Sequence, residues 1–122
     1  MIYSSSWQLL QYQDAYSTFV AAVAGDVQLL AKIDQRLNRL RVTGNHSQPP
    51  VSKLIEDGVF ECKADSAQHW ARLFFCFLPE RKIVILLGVL KDQKKLRRVD
   101  IDEAKRRMTI VQTHRELARG ID

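Results

Sequence analysis

Two apolar runs, "HWARLFFCFL" (residues 69–78) and "KIVILLGVL" (residues 82–90), hinge on the polar turn "PERK" (residues 79–82), and the fold turns on how they are read. Each is apolar at odd and even positions alike, the pattern of a strand covered on both faces. Ile83 to Leu90 is less than half the ~20 residues a membrane-spanning helix requires, so it reads as a strand and not a span. In the first run Leu73, Phe75 and Phe77 share one face, while Arg72, Phe74 and Cys76 share the other. The fully apolar face is expected to lie against helices. The face bearing Arg72 is mixed.

Upstream, "GVFECK" (residues 58–63) alternates, with Phe60 and Cys62 on one face and Val59, Glu61 and Lys63 on the other. The three runs in succession predict an antiparallel meander with short connections. Before them, "GNHSQPPVS" (residues 44–52) collects turn formers and prolines and reads as a loop. Two amphipathic helices precede the loop. Asp14 is placed to cap the first, whose Tyr16, Phe19, Val20 and Val23 recur at helical spacing before a stop at Gly25. Asp26 is placed to cap the second, which carries Leu30, Ile33, Leu37 and Leu40 on one face and ends at Gly44. "WQLLQY" (residues 7–12) reads as an edge strand. Downstream, Asp100 is placed to cap a last helix with an Ile101, Ala104, Met108 and Val111 stripe, stopped by Gly120. The order is β-α-α-β-β-β-α. It predicts one α+β domain over residues 1–122, a small antiparallel sheet backed by a helix hairpin, and 122 residues leave no room for a second core.

Charge is unevenly spread. Nineteen Lys and Arg against fourteen Asp and Glu give a net +5, a balance that favours acidic partners. Residues 91–107 hold eight cations against four acids, a local +4. The amino terminus lacks a basic region followed by a long apolar core, so a cytoplasmic protein with no membrane association is expected. Cys62 and Cys76 sit in apolar runs without Cys-x-x-Cys spacing and read as buried, reduced thiols. His46, His69 and His114 are scattered, and no pair has ligand spacing, so neither a metal site nor a histidine catalyst is expected. Trp70 and the phenylalanines read as core. The chain lacks a glycine-rich phosphate loop and a Gly-x-Ser-x-Gly elbow, which sets aside nucleotide hydrolases and serine esterases.

Two features point to chemistry. An arginine on a central strand needs an anionic or hydrogen-bonding partner, and for Arg72 that is either Glu61 on the neighbouring strand or an anionic substrate. Lys91, Lys94 and Lys95 follow the last meander strand. They form either a solvated basic loop or, delivered by a rigid strand to the end that bears Arg72, a preorganised anion site.

From Gly44 onward the ordered set "PPVSKLIEDGVFECK", "ARLFFCFLPERKIVILLGVLKDQKK" and "IDEAKRR" resembles the RelE/ParE superfamily of toxins from type II toxin–antitoxin pairs, in its HigB-like, phage-derived branch. Pro50, Lys53, Leu54, Gly58, Val59, Phe60 and Glu61 match the first family motif, with Lys63 at its usual arginine. Arg72 falls on the Tyr-Arg-Ile arginine, Leu86, Gly88, Lys91 and Lys95 on the next motif, and Ile101, Ala104 and Arg107 on the last. Leu87 replaces the family histidine, Ala71 a tyrosine, Val89 a phenylalanine, and Leu96-Arg97 a Thr-Pro pair.

The resemblance implies a RelE-like fold and a metal-independent, cofactor-free endoribonuclease that cuts messenger RNA on the ribosome. In that chemistry a 2′-hydroxyl attacks the adjacent phosphate. It implies Arg72, Lys91 and Lys95 as catalytic cations, with Lys63, Lys94, Arg97 and Arg98 binding RNA. The implied partners are the ribosome, mRNA and a cognate antitoxin with a helix-turn-helix DNA-binding domain. Two alternatives share the fold: a ParE-type poison of DNA gyrase, and a non-catalytic phage-derived RNA- or protein-binding module.

Overall fold

A computed structural model describes residues 6–91 and 96–121, and the chain is followed over those residues. Strand β1 (Gln8–Tyr12) leads into helices α1 (Ala15–Ala22) and α2 (Val27–Thr43). Strands β2 (Lys53–Glu56), β3 (Val59–Asp65), β4 (Trp70–Leu78) and β5 (Lys82–Lys91) follow, then helix α3 (Arg98–Thr113) and a short strand β6 (Ala118–Gly120). The six strands form one sheet in the order β2-β3-β4-β5-β1-β6. All neighbours are antiparallel except β1 and β5, which are parallel. The α+β architecture expected from the sequence is the one observed.

The sheet is covered on both faces because its central strands are apolar on both. Leu73, Phe75, Ile83 and Ile85 meet the hairpin of α1 and α2 through Phe19, Val23, Leu29, Ile33 and Leu37. Phe74, Cys76, Val84 and Leu86 meet α3 through Ile101, Ala104, Met108 and Val111. Fully burying one such side chain stabilises the fold by roughly 1.5–3 kcal/mol. Phe60, Phe75 and Phe77 pack ring to ring on the hairpin side, with Phe75 and Phe77 edge-to-face at 5.5 Å between centroids. Gly88 is what lets α1 sit down on β5, since a Cβ there would fall 2.6 Å from Cγ of Phe19.

Several local expectations are corrected. β1 is not an edge strand: β6 pairs with its outer side, so Gly120 belongs to a strand and does not stop the last helix. That helix ends at Thr113 because the apolar stripe ends at Val111 and the following side chains are exposed. It also begins earlier than Asp100. Arg97 occupies the cap position without a side-chain bond, and Asp100 lies in the first turn, where its charge suits the positive helix end. At the start of α1, Asp14 makes no capping bond. The buried Gln11 side chain does this instead, its Oε1 accepting from the amides of Tyr16 and Ser17 at 3.0 and 2.9 Å. Asp26 caps α2 as expected, accepting from the Leu29 amide at 3.0 Å. β2 was not anticipated; it pairs with β3 through a two-residue turn at Asp57 and Gly58, both at positive φ.

Candidate functional site

The register of the meander decides which polar side chains meet. Lys63 lies opposite Arg72, which lies opposite Val89, and Asp65 lies opposite Trp70, which lies opposite Lys91. Directly opposed residues project to the same side of a sheet. Lys63, Trp70, Arg72 and Lys91 therefore share the α3 side of the sheet, at the end where β3 turns into β4 and β5 finishes. Lys63 is exposed and Lys91 half-buried, its Nζ 5.8 Å from the centre of the Trp70 ring.

Arg72 is different. It is 3% exposed, and its Nε sits 2.5 Å from Oε2 of Glu61, itself 2% exposed. The contact is one of opposite charges and is not aligned as a hydrogen bond. The role that the family resemblance implies for Arg72, a cation offered to a substrate phosphate, does not fit this place. Of the two partners open to it in the sequence, Glu61 holds it. A guanidinium sealed beneath the surface cannot reach a phosphate without first leaving a buried carboxylate unpaired, a costly exchange.

Arg98 is also committed. Its guanidinium takes Glu56 in a bidentate pair at 2.9 and 2.5 Å and Asp102 at 2.8 Å, fastening the start of α3 to the end of β2. It thereby ties the two elements together at the surface, with 57% of its side chain exposed. The Arg98 and Lys105 bonds hold Glu56 down to about 2, well below the ordinary carboxylate range. Lys105 also reaches Asp57 at 2.9 Å, while Arg106 and Arg107 share Glu103 and hold it to about 2. Much of the positive charge of α3 is thus answered by acids, among them Glu56 at the end of β2 and Asp57 in the turn that follows. Arg97 stays exposed, with Nε 3.9 Å from Asp100. Lys94 and Lys95, expected in RNA binding and catalysis, lie outside the described residues.

Two residues that the sequence did not single out belong to the same end of the sheet. Trp70, expected in the core, is 43% exposed. Its neighbour His69 donates or accepts through Nδ1 at 2.7 Å from Oδ2 of the buried Asp26, which also accepts from Ser66 Oγ at 2.5 Å. These bonds, with the Leu29 amide, keep the Asp26 carboxyl below its usual range, the Ser66 hydroxyl contributing most. Ser66, His69, Trp70, Leu90 and Lys91 line an open cleft of about 520 Å³. The available signal was alternation along β4, which sets Trp70 on the mixed face with Arg72.

Another hollow, of about 830 Å³ between α1, α2, β1 and β6, gathers no cation cluster. Cys62 and Cys76 are buried free thiols, pushed up to about 12 by burial and so chemically quiet at neutral pH. Among the described residues no group of three His, Cys, Asp or Glu side chains is arranged to hold a metal ion, and no helix is long and apolar enough to cross a membrane.

No curated protein matches the chain. A family model does: residues 23–109, from the end of α1 through most of α3, match that of the phage-derived Gp49-like proteins (DUF891). The match takes in the helix α2, the whole meander and the clamp at the start of α3, so by its fold-defining elements the chain belongs to the phage-derived Gp49-like family.

Proposed function

We propose that this protein is the toxin of a type II toxin–antitoxin pair and acts as a metal-independent endoribonuclease on translated messages. Membership of the Gp49-like family, a type II toxin family, supports the toxin reading at its coarse level and with it an antitoxin partner. The observation that carries the finer reading is the register that sets Lys63 and Lys91 beside the exposed Trp70 on one rigid end of the sheet. Cleavage by a 2′-hydroxyl piles negative charge on phosphate oxygens in the transition state. Cations already held in place stabilise that state more than the ground state. In this reading Lys91 takes the scissile phosphate, together with Lys95, while Lys63 and Arg97 hold the RNA backbone. Arg72 acts through the sheet, its bridge to Glu61 keeping the ends of β3 and β4 in register.

One observation favours the ParE-type alternative: the residue that would bind phosphate in the nuclease branch is spent inside an ion pair. Brief expression in bacteria with mapping of new RNA 5′ ends separates the two. Growth arrest with codon-phased cuts, lost in Lys91→Ala and Lys95→Ala while the variants remain folded, is the expected result. Intact messages alongside DNA damage would replace the nuclease reading with gyrase poisoning.

A further inference from the structure

The exposed indole of Trp70 is out of keeping with its place beside a well-packed core. It is 43% exposed at the cationic end of the sheet. The ammonium of Lys91 stands 5.8 Å from its ring centre, Asp65 lies across from it on β3, and Lys63 lies across from Arg72, two residues further along β4. Clefts border the indole on two sides, one of about 520 Å³ with His69 and Lys91 and one of about 230 Å³ with Lys63 and Lys91. The larger lies within the range of volumes that seat small organic ligands. Its other wall is stiff. His69 and Ser66 are both bonded to Asp26, and Asp26 is fixed by the first turn of α2.

We propose that this cleft seats one unpaired nucleotide of single-stranded RNA, its base stacked on Trp70 and its phosphate on Lys91. A flat aromatic face beside ammonium groups is what unpaired bases and their backbone require, whereas a duplex keeps its bases stacked on each other and offers none to the indole. Lys91, whose ammonium stands over the indole, is placed to meet the phosphate of a base seated on the ring. The His69 imidazole, oriented through Nδ1 by Asp26, leaves Nε2 as the polar edge able to read the base.

The proposal rests on the reading of the chain as an RNA-acting toxin, and its test is kept separate from cleavage. Purified protein is titrated with short single-stranded oligouridylate and with duplex RNA of equal charge, following tryptophan emission and binding. The chain has two tryptophans, and Trp7 is packed edge-to-face on Phe77 at 5.2 Å, so a Trp70→Phe variant identifies the responding indole. Quenching by the single strand and not the duplex, absent in Trp70→Phe, is expected. Trp70→Ala should weaken single-strand binding by about ten-fold or more, the usual value of one stacked base. Equal binding by Trp70→Ala, or binding without quenching, would overturn the site, and persistent message cutting in that variant would leave the nuclease reading intact. Loss of antitoxin binding in Trp70→Ala with no RNA effect would also overturn it, making the indole a protein contact.

Discussion

Arg72 and Glu61 form a buried pair whose value lies in being complete. Removing one partner strands a charge at 2–3% exposure, while replacing both with apolar groups of similar size strands neither member of the pair. Arg72→Ala is therefore expected to destabilise the fold by about 3–5 kcal/mol, and Arg72→Met with Glu61→Leu to stay within about 1 kcal/mol of the parent or above it, as read by urea denaturation. The same double variant tests function: if it retains message cutting, Arg72 has no part in catalysis. Gly88 makes a second residue-scale case. Its Cβ would stand 2.6 Å from Phe19, so Gly88→Ala should cost about 1–3 kcal/mol by overpacking, and a Phe19→Leu companion should recover part of that loss.

Among elements, the start of α2 is the joint on which the most depends. Asp26 caps the helix and at the same time receives Ser66 and His69 from the turn between β3 and β4, so one carboxylate ties the hairpin of helices to the functional end of the sheet. Asp26→Ala should lower stability by about 1–2 kcal/mol for the cap alone and increase hydrogen exchange in residues 66–69. Asp26→Asn, which keeps the cap, should spare the helix and loosen the turn. The element that the sequence reading missed, β2, had a clear signal in Asp57-Gly58, a favoured dipeptide for a two-residue hairpin turn. The preceding "KLIE" carries little signal of its own, because four partly exposed residues show too little apolar contrast to mark a strand.

On the scale of the whole molecule, acid should loosen the protein through the bridges of α3. Glu56 and Glu103 titrate near 2 in the folded chain against an ordinary 4.5. Because the folded values are the lower ones, their contribution is present in full above about pH 4.5 and is lost as pH falls toward 2. The urea midpoint should decline over that window, and Glu56→Gln with Glu103→Gln should flatten the decline. Added salt should shrink the effect, since both carboxylates bond to partly exposed partners.

How much was legible in advance follows from the range of the physics involved. Apolar periodicity is a local property, so the sequence alone determined the two amphipathic helices, the meander, the last helix with its Ile101, Ala104, Met108 and Val111 stripe, and which face of β4 each residue takes. The covering of β1 by a strand from the far end of the chain was not legible, because pairing between residues 10 and 120 leaves no local trace. The candidate site divides in the same way. Alternation placed Arg72 on the mixed face of β4 and grouped Lys63 with Glu61 on β3, but only tertiary structure set those faces on one side of the sheet and decided that Glu61 would claim Arg72, that Glu56 would reach Arg98 from 42 residues away, and that Trp70 would face outward beside Lys91. A charge written in the sequence is only a formal charge. Whether it is free to meet a phosphate depends on which opposite charges the fold brings within a few ångströms, and how deeply it buries them.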